Sequence, residues 1–282
     1  MDEPLFPDEL LAAVANGVPR PQAADDARFF GRHRSARPGE SPEFQDFRAY
    51  RAGDDLRRVD WNVYKRSGKL FLRRFRALPE KSHYLILDNS RSLQCRPRRL
   101  RCAWRLAALI GGTLLNSGDT LALRVGSFTR RFPAGKTGAA EFIAALKERF
   151  GAPPEAPRFE HPEKASCYIV SDFMDPDGLA AAERKLEALP GFTPVRVCEK
   201  SDIVPLLETE LRLIDAESGA AVVVRPDRRT LERYRANLRR FDAMLERAAR
   251  RAGAEVWDFE AERPVGELIR RTAEKLFDGG RR

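Results

Sequence analysis

Asp88-Asn89-Ser90-Arg91-Ser92 is the segment with the clearest chemical capacity in the chain. It offers one carboxylate and two hydroxyls at alternate positions, which together make a surface of hard oxygens. Mg²⁺ prefers such donors in an octahedron and commonly keeps some of its waters. Mn²⁺ suits the same oxygen set. A second acid, Asp172, follows the apolar run Tyr168-Ile169-Val170 and Ser171. Asp88 likewise follows Tyr84-Leu85-Ile86-Leu87. Both acids therefore leave buried strands, where an unpaired carboxylate is costly and a cation would satisfy it. Between them, Thr137 precedes a helix expected to start near Gly138, and its hydroxyl could reach the same place. Thr113, Thr120 and Thr129 lie in the same interval and leave the choice of threonine open.

These residues need a scaffold that gathers strand ends, and the hydropathy pattern predicts one. From Ser82 onward short apolar runs alternate with amphipathic segments. Strands are expected at 84–87, 120–125, 168–170, 194–198 and 254–258. Helices are expected at 98–116, 138–150, 178–189, 228–251 and 265–277, with a hairpin of 211–214 and 221–224 around Glu217-Ser218-Gly219. Pro97 suits a helix start and Gly118 a helix end. Such alternation predicts an α/β fold with an open, mostly parallel, doubly wound sheet. Ligands of such sheets bind beyond the carboxyl ends of the strands, where Asp88 and Asp172 are expected. Residues 79–282 are assigned to this domain. Residues 1–78 read as a small β-rich accessory module: a helix over 7–16, a loop to about Ser41, then aromatics at Phe44, Phe47, Tyr50, Trp61, Tyr64, Phe71 and Phe75. A half-exposed strand is expected over 69–76. Asp54, Asp55 and Asp60 are read as a turn fixed by Arg57 and Arg58, and Trp61 as a packing anchor.

The order of these parts carries a resemblance. Asp88-x-Ser90-x-Ser92 after a first strand, then a threonine such as Thr137, then Asp172 after a later strand, is similar to the metal-ion-dependent adhesion site of von Willebrand factor A domains. The block from Gly53-Asp54-Asp55 to Asp60-Trp61, the basic strand after it, and Leu213-Ile214-Asp215-Ala216-Glu217-Ser218-Gly219 resemble the bacterial domain-of-unknown-function fifty-eight family over roughly 30–258. The resemblance implies a metal site of Asp88, Ser90, Ser92, Thr137 and Asp172 holding Mg²⁺ or Mn²⁺. It implies that an acidic residue of a partner protein completes the coordination sphere, with no bond broken. It also implies an adaptor or chaperone-like role beside a MoxR-type AAA+ ATPase or its client. Many members carry N-terminal membrane helices, and this sequence departs from that form.

Other chemistries find less support. Asp and Ser are also common turn and helix-cap residues, so the motif alone is weak. Gly135-Lys136-Thr137 lacks the upstream glycine of a phosphate-binding loop, since Arg130 stands there. Cys95, Cys102, Cys167 and Cys198 are scattered and read as reduced, buried thiols. His33, His83 and His161 share no spacing suited to a metal or a catalytic pair. The net charge of +9 is spread among acidic residues without base-stacking aromatics, so nucleic-acid binding is kept only as an alternative. A metal-dependent hydrolase using the same acids is the other alternative, and it lacks a visible general base. No apolar stretch reaches the roughly 18 residues of a membrane helix, and residues 1–10 lack a signal pattern. A cytoplasmic protein without catalytic residues is the expectation.

Overall fold

In the computed structural model, described for residues 3–17, 43–50, 59–76, 81–162, 165–203, 210–216 and 219–278, the elements run in this order: α1 (Asp8–Asn16), β1 (Glu43–Ala49), α2 (Trp61–Ser67), β2 (Phe71–Arg76), β3 (Ser82–Leu87), α3 (Arg91–Gln94), α4 (Pro97–Asn116), β4 (Thr120–Val125), β5 (Phe128–Phe132), α5 (Lys136–Arg149), β6 (Ser166–Ser171), α6 (Leu179–Glu187), β7 (Phe192–Cys198), α7 (Lys200–Ile203), β8 (Leu211–Ile214), β9 (Ala221–Val224), α8 (Arg228–Arg251), β10 (Trp257–Glu260) and α9 (Val265–Asp278). Helix α1 and the chain from Lys81 onward form one compact unit; β1, α2 and β2 belong to a second.

The larger unit is built on a six-stranded sheet of order β10-β7-β6-β3-β4-β5. Its strands are parallel except β5, which returns antiparallel along β4. Alternate side chains of a strand face opposite sides of its sheet, and β3 shows what that demands. Leu85 and Leu87 enter a core shared with α1, α4, α5 and α9, while Tyr84 and Ile86 enter a second core under α6 and α8. A strand covered on both faces must be apolar throughout, which explains the unbroken run before Asp88.

Helix α4 is buried along nearly its whole length. Gly111 and Gly112 make that possible. A Cβ on Gly111 would stand 2.4 Å from the Phe142 ring of α5, and one on Gly112 would stand 2.5 Å from Val14 of α1. The sequence reading grouped α1 with residues 1–78. The helix packs instead on the larger unit, because Leu10 and Val14 are apolar positions one turn apart that need a partner face. Arg105 of α4 adds hydrogen bonds to the carbonyls of Pro4 and Leu5, both at 2.8 Å.

In the smaller unit β1 and β2 pair antiparallel, with an irregularity between Phe44 and Asp46. Asp60 caps α2 by accepting the Val63 N–H at 3.1 Å. Trp61, expected as an anchor, is 53% exposed and meets Tyr64 edge-on at 6.0 Å. Residues 53–58 of the Gly-Asp-Asp block, and with them the expected Arg57 and Arg58 ion pairs, lie outside the described residues, as do most of the expected loop to Ser41 and two residues of the 217–219 turn. No helix among the described residues is long and apolar enough to cross a membrane.

The Gly111 contact gives a direct test. Gly111→Ala should lower the unfolding free energy by about 1–3 kcal/mol, read by urea denaturation. Gly111→Ala combined with Phe142→Leu should recover part of the loss, because the new methyl meets that ring. No recovery would mean that the strain lies elsewhere.

Candidate functional site

Strands β3 and β6 are neighbours, with Leu87 opposite Val170 in register. The chain leaves β3 at Asp88, whose N–H still bonds the Val170 carbonyl at 2.9 Å. It leaves β6 at Ser171-Asp172. Parallel pairing thus brings the two acids to adjacent carboxyl ends, as the sequence pattern predicted. Asp88 is 1% exposed and Asp172 3%.

Each carboxylate is held by short-range partners. Asp88 Oδ1 accepts the Ser90 N–H at 2.8 Å, and Oδ2 accepts the Ser171 hydroxyl at 2.5 Å. Asp172 Oδ1 accepts the Met174 N–H at 3.0 Å and the Ser92 hydroxyl at 3.4 Å. The Ser90 and Ser92 hydroxyls stand 2.8 Å apart. Ser90 precedes α3, yet its side chain makes no helix-capping bond, so capping does not account for that hydroxyl. Asp88, Ser90, Ser92 and Asp172 are therefore one connected cluster.

Thr137 does not join it. The N–H of Gly135 bonds the Leu115 carbonyl at 2.7 Å, at the end of α4. There the chain turns into Thr120, which pairs with Ser82 at the start of β3. Thr137 consequently lies at the amino ends of the parallel strands, opposite the cluster. That separation is roughly 17 Å at about 3.3 Å per strand residue. The cause is β5, an antiparallel strand absent from the sequence reading, which carries the chain back down the sheet before α5. The other threonines fare no better. Thr113 lies in the last turn of α4, Thr120 starts β4, and Thr129 accepts a hydrogen bond from Arg124 Nε at 3.3 Å on the edge hairpin.

Three positions that the sequence reading passed over complete the surroundings. Arg99, in the first turn of α4, donates from Nη1 to Asp172 Oδ2 at 3.0 Å and from Nη2 to Asp202 Oδ2 at 2.6 Å. Its side chain is only 6% exposed. Asn89 donates to the Pro153 carbonyl at 3.0 Å, and Gln94 donates to the Ala152 carbonyl at 2.8 Å and to Asn89 Oδ1 at 2.9 Å. Those bonds clasp the loop after α5 beside the cluster. Arg98 and Arg101 flank Arg99 in the opening of α4, so residue type gave no signal that singled it out. Cys95, expected buried, is exposed and donates to the Ser92 carbonyl; all four cysteines are free.

Burial pushes the Asp88 carboxyl up from 3.8 to about 7, and the nearby Asp172 charge adds to the rise. Burial also raises Asp172, against the lowering effect of the Met174 N–H and the Arg99 guanidinium. Among the described residues no group of three or more His, Cys, Asp or Glu gathers that could hold a metal; the donors here are two carboxylates and serine hydroxyls.

The family model described as "Protein of unknown function DUF58" matches residues 46–244. An uncharacterized protein of Mycobacterium tuberculosis is 29% identical over 217 residues, which span 69% of this chain and 67% of that protein. An uncharacterized protein of Mycobacterium bovis matches with the same values. Among solved structures, an aerotolerance-related membrane protein from Bacteroides fragilis, crystallised with multiple mutations to serines, is 15% identical. That match covers 71% of this chain and 98% of that one, at a TM-score of 0.34.

Two outcomes follow from these electrostatics. A carboxyl whose folded pKa lies above its unfolded value stabilises the fold while protonated and loses that contribution as pH rises through the folded pKa. In metal-free buffer, wild type should therefore lose stability relative to Asp88→Asn between about pH 4 and about pH 7. A stability difference that stays flat over that window would refute the assignment. Arg99→Met strands two acids without their cation and should cost about 3–5 kcal/mol in the same denaturation experiment.

Proposed function

The chain belongs to the DUF58 family of proteins of unknown function, and from that premise we propose that it is a non-catalytic adaptor that grips a partner protein through a divalent cation. The observation that carries this reading is the pair of buried carboxylates, Asp88 and Asp172, at adjacent strand ends with the Ser90 and Ser92 hydroxyls beside them. The donors are all oxygen, which suits Mg²⁺ or Mn²⁺ and disfavours softer ions. Asp88, Ser90, Ser92 and Asp172 would hold the ion, which supplies a positive charge open to a carboxylate from outside.

The remaining residues orient those donors. The Ser171 hydroxyl and the Ser90 N–H fix the two oxygens of Asp88, so the carboxylate cannot swing away. Arg99 and the Met174 N–H fix Asp172. Such supporting bonds set the orientation and affinity of metal-binding groups. The partner brings an aspartate or glutamate, and the contact is adhesion without turnover. On this reading the larger unit is a von Willebrand factor A-like domain with an adhesion site, working in the cytoplasm. Its partner is a MoxR-type AAA+ ATPase or the client of one, as the family resemblance implies. Thr137 has no part in the site.

Titration calorimetry with Mg²⁺ and Mn²⁺ tests the proposal. The intact chain should bind saturably, Asp88→Ala should not, and p-nitrophenyl phosphate should remain uncleaved. Equal binding by Asp88→Ala would sink the site. Phosphoester turnover abolished by that substitution would replace the adaptor with a hydrolase.

A further inference from the structure

A pocket opens directly beside the cluster. The buried Ser90 and Ser171 line it on the cluster side, and Pro157, Phe159, Phe173, Ala182 and Leu186 supply apolar walls. The Phe159 and Phe173 rings pack with centroids 6.3 Å apart. Phe173 holds a φ of 57°, the one positive value outside glycine among the described residues. That conformation is costly for an aromatic residue and persists where its surroundings enforce it. Here the Phe173 N–H donates to Ser171 Oγ at 2.8 Å, and Ser171 in turn donates to Asp88. The turn that holds Asp88 therefore also sets the pocket wall.

Among the described residues, the one cation that lines the pocket, Lys185, is already engaged by acids. Lys185 contacts Asp175 at 2.6 Å and Asp177 at 3.7 Å. A second acid of the partner finds no free cation there, whereas an uncharged side chain finds apolar walls. The pocket adjoins the candidate cation site, since Ser90 belongs to both.

We propose that this pocket receives a bulky aliphatic side chain next in sequence to the partner's acid, so that the chain recognises an acidic–aliphatic pair on an exposed peptide segment. The inference rests on the adaptor reading. The acid supplies attraction to the cation, and the aliphatic neighbour supplies selectivity among the many exposed acids of other proteins. Burial of one such side chain is the dominant discriminating contact.

Capped tetrapeptides at saturating Mg²⁺ test it on the full chain. Gly-Glu-Leu-Gly or Gly-Leu-Glu-Gly should bind roughly tenfold or more tightly than its serine counterpart, while Gly-Gln-Leu-Gly should lose binding. Ala182→Phe fills the pocket, and should erase the leucine preference while leaving Mg²⁺ affinity unchanged. The wild-type peptide series decides the matter even if that variant folds poorly. Equal affinity for the leucine and serine peptides, with Mg²⁺ bound, overturns the pocket assignment alone. Absence of Mg²⁺ binding overturns the adaptor reading and this inference together.

Discussion

Two carboxylates, Asp88 and Asp172, are buried at neighbouring strand ends, and the deeply buried guanidinium of Arg99 reaches only the second of them, sharing itself with a third acid, Asp202. When all are ionised the group carries two negative charges in excess, in surroundings where charge is poorly solvated. Three kinds of compensation are available: protons, hydrogen-bond donors and a cation from outside. The fold already uses donors, through Ser90, Ser92, Ser171 and Met174. Burial raises both Asp88 and Asp172 even so, the direction expected of carboxylates whose charge is under-compensated. A divalent ion would close that gap in charge, and this is the physical footing of the adaptor proposal.

The excess charge is tolerable only because the scaffold is rigid around it. Strands β3 and β6 are covered on both faces, so their ends are fixed by packing rather than by loops. Helix α4 carries Arg99 to Asp172, and α4 is seated by close contact of Gly111 with Phe142 and of Gly112 with Val14. A shift of α4 would move the guanidinium away from two acids at once. Packing far from the cluster thus sets its electrostatics.

Much of this was legible in the sequence because it follows from period and position. The unbroken apolar runs before Asp88 and Ser171 marked strands covered on both faces, and parallel strands deliver their following residues to the same edge. The sequence reading failed where direction mattered. In β5, Thr129, Arg130 and Arg131 are exposed between Phe128 and Phe132, so the segment lacks the apolar run of a central strand. Missing that one antiparallel strand reversed the end of the sheet to which Thr137 was assigned. Arg99 was hidden for a different reason: its partners Asp172 and Asp202 are distant along the chain, and linear spacing carries no trace of them. Trp61 shows the limit of residue type as a guide, since a large aromatic was read as an anchor and is exposed beside Tyr64.

Under the adaptor proposal the same network has the role of holding its members in place. Asp88 connects through Ser90 and Ser92 to Asp172, then through Arg99 to Asp202, whose carbonyl accepts the Tyr234 hydroxyl of α8 at 2.5 Å. Asp88 has each oxygen oriented, one by a backbone N–H and one by a hydroxyl, with lone pairs left over. Fixed orientation is what a ligand to a cation needs, because coordination selects by geometry. Residues that are locked in place, short of cation charge and beside an apolar pocket are suited to hold something that stays.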